Sequence, residues 1–294
     1  MKLLITGSSG LLGSKIAEIA QTRNHEVYSA YAQHYPIHGK ATQLDISKEN
    51  KVIETFKKID PEAVIHTAAL TDVDKCEKEK DLALKINAEA TKNIAVASAC
   101  IDSHVTYVST DYVFNGKKGL YKEADKTNPI SYYGYTKLKG EEFIKQHATK
   151  WCIARASVLY GWSDRRQNFA TWLLESLTRN KSVRVPKDQY VSPTLNTNLA
   201  EMLLEVSQQR VSGILHTAGA TRTSRYEYAL MLAQTFDLKT DLVKPAGIHE
   251  MPWKAKRPRD SSLNVNRATS LLNAKPLALD EALAVLKKEK PAPP

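Results

Sequence analysis

Cysteine is scarce in this sequence. The 294 residues include only Cys76, Cys100 and Cys152, an odd number at wide spacing, with no CxxC motif and no Cys/His cluster. A structural zinc site needs closely spaced ligands, and secreted disulfide scaffolds use an even set of cysteines. We therefore expect no metal site, no disulfide framework, and a reducing, cytoplasmic compartment.

Long apolar runs are also missing. The longest stretch without charge or strong polarity lies near Ile94–Ile101, far short of the roughly 18 apolar residues of a membrane-spanning helix. At the amino terminus, Met1-Lys2 is followed only by Leu3-Leu4-Ile5 before glycines begin, which is too short for a signal peptide. Neither a membrane span nor a signal peptide is expected.

Acidic residues are outnumbered, with 32 Asp and Glu against 42 Lys and Arg and a formal net charge of +10. Such an excess suits nucleic acid, an anionic membrane surface or a phosphorylated small molecule. No zinc finger, basic amphipathic helix or aromatic-rich stacking strand accompanies the charge, so nucleic acid is the least favoured partner. We expect a small-molecule substrate, and neither a nucleic acid nor a membrane.

Strands and helices alternate along the first 160 residues, which predicts an α/β fold with a doubly wound parallel sheet of the Rossmann type. After about Tyr160 the rhythm breaks, and a smaller C-terminal substrate-binding domain is expected. The Rossmann domain is predicted over 1–160 plus a returning segment at about 195–217, and the substrate-binding domain over 161–194 and 218–290. The predicted strands are Lys2–Thr6, His25–Tyr31, Ala63–Thr67, Val105–Ser109 and Trp151–Ala156. The predicted helices are Ser9–Arg23, Lys48–Lys58, Asp81–Ala99, Tyr132–His147, Phe169–Thr178, Leu199–Ser207 and Ser224–Phe236.

Three glycines stand between the first strand and the first helix, in the run Thr6-Gly7-Ser8-Ser9-Gly10-Leu11-Leu12-Gly13. A helix amino terminus offers unpaired N–H groups and a positive dipole, so a pyrophosphate can sit there where no side chain intervenes. An ordinary turn is the alternative, but a β-α-β context favours a dinucleotide site. The candidate cofactor residues of this loop are Gly7, Ser9, Gly10, Leu11, Leu12 and Gly13.

The second strand ends without the acidic residue that binds the ribose hydroxyls of NAD and repels the 2′-phosphate of NADP. The run Ser29-Ala30-Tyr31-Ala32 stands there instead, which favours NADPH; no Arg follows, and NADH stays open. Asp45 and Ile46 follow the expected third strand and are candidates for the adenine side of the cofactor. A helix N-cap region is the alternative role for Asp45.

Tyr133 and Lys137 are four residues apart in a predicted helix, so their side chains share one face. A phenol with a pKa near 10 exchanges protons poorly at neutral pH, and a nearby ammonium favours the phenolate. By itself the Tyr-x-x-x-Lys pattern is common and more often marks a solvated helix face. Tyr135 and Lys139 form a rival pair in the same helix.

A polar corner, Ser109-Thr110-Asp111, follows the predicted strand Val105–Ser109. In open α/β sheets the ligand crevice lies beyond the carboxyl ends of the strands, so the Thr110 hydroxyl is placed to hydrogen-bond a substrate carbonyl. Turn chemistry is the alternative for this corner, because short polar side chains often bond their own backbone. For Asp111 the two roles, Asx-turn and substrate contact, are equally favoured.

With these residues in hand, the chain resembles the extended short-chain dehydrogenase/reductase family and, within it, the dTDP-4-dehydrorhamnose reductases, from Lys2 to about Leu286. Beyond the glycine loop and the Tyr133/Lys137 pair, the resemblance rests on Ala68-Ala69-x-Thr71-x-Val73-Asp74-x-x-Glu77, Asn87-Ala88, Ser109-Thr110-Asp111-Tyr112-Val113-Phe114-x-Gly116, Asn168-Phe169, Asp188-Gln189-x-x-x-Pro193-Thr194, Gly213-x-x-His216 and Arg257-Pro258-x-x-Ser261-x-Leu263.

The resemblance implies hydride transfer from NAD(P)H to C4 of a nucleotide-linked 4-keto-6-deoxyhexose, as in dTDP-L-rhamnose synthesis. It assigns proton delivery to Tyr133, carbonyl polarisation to Thr110, and the nicotinamide ribose to Lys137. Arg257 is implied for the pyrophosphate, since a guanidinium pairs bidentately with phosphate oxygens; it lies among four cations in Lys254–Arg259, for which a solvated loop is the alternative. The implied cofactor residues also include Ala68 and Ala69, and the implied substrate residues are Thr71, Val73, Asp111, Tyr112 and Arg257.

One departure, one distinction from related enzymes and one alternative accompany the resemblance. Val191 stands where the family usually has Gly, which leaves the shape of the substrate loop open. Asp111 is followed by Tyr112 rather than by the Glu of related dehydratases, which disfavours dehydration. The same group includes proteins that resemble the regulatory β subunit of methionine adenosyltransferase, so a dinucleotide-binding regulatory subunit is the alternative to an enzyme. A homodimer is an open expectation.

Overall fold

The computed structural model describes residues 1–163 and 167–291. Residues 164–166, which fall inside the predicted substrate-binding domain, and residues 292–294 lie outside the described chain. Within the described ranges, no helix has both the length and the apolar character needed to span a membrane.

The strands are β1 (Lys2–Thr6), β2 (Glu26–Tyr31), β3 (Lys40–Gln43), β4 (Ala63–His66), β5 (His104–Thr110), β6 (Lys150–Ala156), β7 (Leu159–Tyr160), β8 (Val183–Pro186), β9 (Tyr190–Val191), β10 (Thr194–Leu195), β11 (Gly213–His216), β12 (Thr223–Ser224) and β13 (Val243–Ala246). The α-helices are α1 (Leu11–Thr22), α2 (Glu49–Ile59), α3 (Val73–Lys78), α4 (Lys80–Leu84), α5 (Ala90–Cys100), α6 (Tyr132–His147), α7 (Phe169–Thr178), α8 (Asn196–Gln208), α9 (Arg225–Thr235), α10 (Asn266–Leu271) and α11 (Leu279–Lys288).

A parallel sheet forms the centre of the fold. Its seven strands, counted over the described residues, follow the order β11-β6-β5-β4-β1-β2-β3, and all neighbouring pairs are parallel. The chain begins at β1, moves outward through β2 and β3, and then returns to add β4, β5 and β6 on the other side. The strand order therefore reverses between β1 and β4, where such sheets bind ligands at their carboxyl edge. The predicted α/β doubly wound fold is confirmed.

Helices cover both faces of this sheet. Successive strand residues point to opposite faces, so Leu3 and Ile5 of β1 pack with α1 and α8, whereas Leu4 packs with α2, α5 and α6. Both faces of β1 are fully buried, which explains why this strand is an unbroken apolar run rather than an alternating one.

A second apolar cluster lies apart from the sheet and joins α7, α9 and α11 with β8 and β13. Strands β8 and β13 pair in parallel with each other. Between these elements the chain returns to the sheet: α8 packs against α1, and β11 extends the sheet beside β6. The division into a dinucleotide unit and a substrate unit stays a prediction.

The helix predicted over Asp81–Ala99 is interrupted. A π-helical turn, Lys85–Glu89, separates α4 from α5, and such turns are often found at functional sites. It carries Asn87, whose buried amide accepts a hydrogen bond from the Leu70 N–H (2.8 Å) and donates to the Leu70 carbonyl (3.0 Å) and to Thr136 Oγ1 (3.1 Å). Asn87 thereby ties the segment after β4 to α6.

Candidate active site

The glycine loop between β1 and α1 is held in close contact with its neighbours. Gly7 has a left-handed φ of +70°, and a Cβ at this position would lie 2.8 Å from the backbone N of Ala68. A Cβ at Gly13 would lie 2.3 Å from the carbonyl oxygen of Gly7. Glycine is therefore required at both positions, one for its conformation and one for the approach of α1 to the loop.

Gly10 has a different setting. It is the exposed N-cap of α1, it offers no side-chain cap, and the first turn of α1 carries no acidic residue. A Cβ at Gly10 would have one neighbour within 4 Å among the described atoms, the Gly7 carbonyl oxygen at 3.2 Å. The first turn of α1 thus begins at an exposed residue and carries no competing carboxylate, which suits a bound anion.

The end of β2 carries no carboxylate, as the sequence indicates. Ala30 accepts hydrogen bonds through its carbonyl from the Ser8 N–H (3.2 Å) and hydroxyl (2.9 Å), and the Tyr31 ring meets the edge of Tyr35 at 5.4 Å.

Asp45 forms a turn with Ser47, whose N–H and hydroxyl bind Oδ1 at 3.0 and 2.8 Å and lower the pKa of this carboxyl. Asp45 is exposed and lies in this turn ahead of α2, whose N-cap is Lys48.

Tyr133 lies beside Thr110 at the carboxyl edge of the sheet. Thr110 ends β5 and Tyr133 is the second residue of α6, whose N-cap Ser131 accepts a hydrogen bond from the Gly134 N–H. A Cβ at Gly134 would lie 2.2 Å from the Tyr112 carbonyl oxygen, so the start of α6 rests directly on the segment after β5. Burial raises the pKa of the Tyr133 phenol far above its usual value, and a hydrogen bond with Thr110 opposes this rise.

Lys137 lies one turn further along α6 and is almost fully buried. Its Nζ donates to the Val108 carbonyl at 2.8 Å and lies 4.1 Å from the centre of the Tyr107 ring. Burial lowers the pKa of this ammonium to about 7, although the charge of Glu141 opposes the shift. The rival pair lies outside this setting: Tyr135 is 40% exposed, and Lys139 forms an ion pair with Glu142.

Asp111 is buried, and both of its oxygens are occupied by protein hydroxyls. Oδ1 accepts from Thr110 Oγ1 (3.0 Å), and Oδ2 accepts from Ser157 Oγ (2.9 Å) and Ser261 Oγ (2.5 Å). Burial raises the pKa of the Asp111 carboxyl to about 6. These hydrogen bonds and the charge of Arg225 oppose the rise. The carboxylate therefore holds the hydroxyl of Thr110 in one orientation.

The segment after β4 meets the basic loop of the C-terminal half. Thr71 is exposed, and Val73 begins α3 and is half-buried. Asp74 accepts hydrogen bonds from the N–H groups of Lys254 (3.0 Å) and Ala255 (2.8 Å) and pairs with the Arg257 guanidinium at 3.2 Å. Arg257, implied for the pyrophosphate, thus already holds a carboxylate.

The rest of the basic loop is largely solvated. Lys254, Lys256 and Arg259 are exposed, whereas Arg257 also donates to the Ala255 carbonyl and lies 5.3 Å from the ring of Trp253. The loop is anchored through its arginine and two backbone N–H groups.

Val191 lies in β9, which pairs in antiparallel fashion with β12. Its side chain is fully buried, and its φ is not in the left-handed region. The backbone at this position therefore does not need glycine.

Several residues of the site were not predicted to have a role, although Ser261 and Gln189 stand in motifs on which the resemblance rests. Ser157 and Ser261 hold Asp111, but an isolated serine does not differ from a turn residue in a single sequence. Arg225 lies near the same carboxylate and Gln189 lies beside Tyr112; neither was predicted as a site residue.

Comparison with known proteins fits this geometry. The sequence profile described as the RmlD substrate binding domain matches residues 1–290. The chain belongs to this family. The probable low-salt glycan biosynthesis reductase Agl14 of Haloferax volcanii is 30% identical over 293 residues, 97% of each chain.

Two further relatives mark the range of roles in the family. The crystal structure of a dTDP-4-dehydrorhamnose reductase of Bacillus anthracis in complex with NADP superposes with a TM-score of 0.90 at 31% identity, covering 99% of this chain and 100% of that one. The methionine adenosyltransferase 2 subunit beta of Bos taurus is 30% identical over 279 residues, 92% of this chain and 82% of that protein. The resemblance found in the sequence is therefore confirmed for both groups.

Proposed function

We propose that this protein is an NAD(P)H-dependent reductase of the C4 keto group of a nucleotide-linked 4-keto-6-deoxyhexose, as in the dTDP-4-dehydrorhamnose reductases to which it is similar. The observation that carries the proposal is the meeting of a half-buried phenol, Tyr133, with the Thr110 hydroxyl at the carboxyl edge of the sheet. The buried ammonium of Lys137 lies on the next turn of the same helix. Phenol, hydroxyl and ammonium are the groups that a carbonyl reduction of this kind requires.

The residues present fit a dinucleotide. The open face at Gly10 and the acid-free first turn of α1 suit a pyrophosphate, with Gly7, Ser9, Leu11, Leu12 and Gly13 shaping the loop. Ala68 and Ala69 follow β4 beside this loop, and Asp45 and Ile46 follow β3 on the adenine side. The missing carboxylate at the end of β2 favours NADPH, the cofactor class found with the Bacillus anthracis relative.

The bound cofactor supplies the hydride, and the side chains of this protein supply the proton and the geometry. Burial keeps the Tyr133 phenol protonated, so it can deliver its proton to the C4 oxygen as negative charge develops there. Thr110 orients that phenol, and its hydroxyl can donate to the same oxygen once it turns from Asp111 to the substrate, while Lys137 would hold the nicotinamide ribose. Asp111 acts on Thr110 as a positioning residue, because both of its oxygens are already bonded to hydroxyls.

Substrate binding is proposed for the space between the sheet and the second apolar cluster. Thr71, Val73 and Tyr112 line the sheet side, and Arg257 approaches from the basic loop. Arg257 can contribute to a phosphate site while it pairs with Asp74. The three cysteines are free, in keeping with the proposed cytoplasmic location.

A second candidate function is a dinucleotide-binding regulatory subunit of a methionine adenosyltransferase. The similarity to the Bos taurus subunit over 92% of this chain favours it. The two candidates differ in whether the protein reduces a substrate with Tyr133 as the proton donor.

Incubation of the purified protein with dTDP-4-dehydrorhamnose and either NADPH or NADH tests the proposal. Oxidation of the cofactor with formation of the 4-hydroxy sugar, detected by mass spectrometry, is the expected result. Absence of turnover across a panel of nucleotide 4-keto sugars, together with co-purification with a methionine adenosyltransferase, would instead support the regulatory role.

A further inference from the structure

Gln189 is a fully buried amide that lies beside the Tyr112 hydroxyl. Its side chain is 0% exposed, and in the described part of the chain neither Oε1 nor Nε2 forms a hydrogen bond of ordinary geometry, although the Tyr112 hydroxyl lies beside it. Burying an unpaired amide is costly, so nearly all buried polar groups in folded proteins are paired. Such an amide is satisfied either by a buried water or by a partner that arrives with a ligand.

Arg225 is the neighbour of Gln189. It begins α9, and its backbone N–H donates to the Gln189 carbonyl at 2.9 Å. Its guanidinium lies 4.9 Å from the centre of the Phe169 ring, and its Nε is buried without an acceptor among the described residues. No carboxylate of residues 1–163 or 167–291 forms an ion pair with it, in contrast to Arg222, which pairs with Asp260.

Both side chains lie close to the proposed reaction centre. Burial raises the pKa of Asp111 and of Tyr112, and the charge of Arg225 opposes the rise at both groups, so the guanidinium lies within electrostatic range of each. The Tyr112 ring in turn meets the edge of the Tyr133 ring at 5.9 Å. The unpaired amide and the unpaired cation therefore line one region next to the catalytic phenol.

We infer that Arg225 and Gln189 bind the diphosphate end of the nucleotide-sugar substrate, with Arg225 pairing with phosphate oxygens and the Gln189 amide bonding a phosphate oxygen and a neighbouring sugar hydroxyl. A nucleoside diphosphate sugar offers both the negative charge and the mixed acceptors and donors that these side chains lack in the free protein. The inference rests on the proposed function; among the described residues Arg225 has no ion pair, whereas Arg257 pairs with Asp74.

The first test compares Arg225→Gln with the matched control Arg222→Gln. Titration of each protein with dTDP by calorimetry gives Kd, and steady-state kinetics gives KM for the nucleotide sugar and for NADPH. We expect Arg225→Gln to weaken dTDP about 10- to 100-fold, the range of a lost charge-assisted bond. The KM for the nucleotide sugar should rise in parallel, and the KM for NADPH should stay within about twofold. Arg222→Gln should leave all three unchanged.

The second test uses Gln189→Met, which replaces the unpaired amide by an apolar side chain of similar size. Removal of an unsatisfied buried group should raise Tm of the unliganded protein by about 2–4 °C, while the rise in Tm on adding dTDP should shrink. A purely structural Gln189 would give the opposite sign, a lower Tm without ligand. That result would overturn the role of Gln189.

The two readouts separate this inference from the proposed function. Tight dTDP binding that Arg225→Gln abolishes, in a protein without reductase activity, would support the site and refute the reductase. A Kd that is equal in Arg225→Gln and the unaltered protein refutes the site even if turnover is normal. An unaltered protein that does not bind dTDP refutes it as well.

Discussion

The Ser261 hydroxyl donates a 2.5 Å hydrogen bond to Oδ2 of Asp111, a residue 150 positions earlier in the chain. Asp111 follows Thr110 directly and accepts the hydrogen bond of the Thr110 hydroxyl on its other oxygen. The C-terminal segment therefore acts on the position of the Thr110 hydroxyl through one buried carboxylate. The arrangement of the Thr110 hydroxyl therefore depends on how the segment that carries Ser261 packs against the end of β5.

Replacement of Ser261 by Ala should impair both stability and turnover. One of three hydroxyl donors to a buried carboxylate is lost, and hydrogen bonds to charged groups contribute about 1.5–3 kcal/mol. Urea unfolding should show a loss of that size, and kcat should fall because Thr110 is less firmly oriented.

Ser262→Ala is the control for this substitution. The Ser262 hydroxyl bonds Asp260 at 2.6 Å and accepts from the Leu120 N–H, so its loss should reduce stability and leave kcat unchanged. Equal effects of both variants on kcat would contradict the proposed link through Asp111.

The stability of the protein should depend on pH through Asp111. Burial raises the pKa of this carboxyl from 3.8 to about 6, so between about pH 4 and 6 the folded state binds more protons than the unfolded state. The contribution of Asp111 to stability is therefore fully present below pH 4 and is lost as the pH rises through 6. Each pKa unit corresponds to about 1.4 kcal/mol, which gives a total near 3 kcal/mol.

Urea unfolding of the unaltered protein and of Asp111→Asn at several pH values between 4 and 7 measures this effect. The difference in unfolding free energy between the two proteins should move in favour of the variant as the pH rises, since Asn does not titrate. A difference that is constant over this range would show that Asp111 has an ordinary pKa in the folded protein.

The fold could be read from the sequence because local patterns and topology agree in its first half. The bounds of β1, α6 and α7 are those predicted: β1 is a short apolar run, and Ser131 and Asn168 cap the starts of α6 and α7. The short strands β7, β9, β10 and β12 have two residues each, too few to show any periodicity. The π-helical turn at Lys85–Glu89 could not be predicted either, because its residues continue the helical pattern of their neighbours.

The candidate site was predictable where residues lie within a few positions of one another. Tyr133 and Lys137 follow helical spacing, and Thr110 follows a strand end. The hydroxyls of Ser157 and Ser261 reach Asp111 from 46 and 150 positions away, and only the folded chain brings them together. For Arg257 the sequence predicted a contact with the pyrophosphate of the substrate. Its ion pair with Asp74 could be found only in the folded structure.

Replacement of Tyr133 by Phe should reduce reductase turnover by orders of magnitude, because the proton donor is lost while the ring remains. The KM for NADPH should change little. Tyr135→Phe, at the exposed rival tyrosine, is the control and should retain full activity. Turnover that survives in Tyr133→Phe would remove this phenol from the proposed mechanism.

Replacement of Asp74 by Ala should loosen the basic loop. The carboxylate accepts hydrogen bonds from the Lys254 and Ala255 N–H groups and pairs with Arg257. Hydrogen exchange followed by mass spectrometry should show faster exchange at residues 254–257, and the KM for the nucleotide sugar should rise. Asp72→Ala is the control, since Asp72 caps α3 through the Lys75 N–H and has no bond to the loop; equal exchange in both variants would contradict the proposed anchor.

The buried ion pair between Arg155 and Glu141 should be the most sensitive polar contact of the sheet. Arg155 donates to both Glu141 oxygens at 2.8 and 2.7 Å, both side chains are almost fully buried, and Ser109 also donates to Glu141 at 2.6 Å. Replacement of Arg155 by Met leaves a buried carboxylate without its cation, which should cost about 3–5 kcal/mol of unfolding free energy.

The double variant Arg155→Met/Glu141→Leu separates the pair from the packing around it. It removes both charges together, so it should recover much of the stability lost in the single variant, because an uncompensated buried charge is worse than an apolar pair. Arg179→Met, at an exposed i,i+4 pair with Glu175, should cost no more than about 0.5 kcal/mol. If Arg155→Met were as mild as Arg179→Met in urea unfolding, Glu141 would have to be neutral or solvated. Glu141 could then not oppose the burial-driven fall in the pKa of Lys137, one helical turn away, as its charge does in this structure.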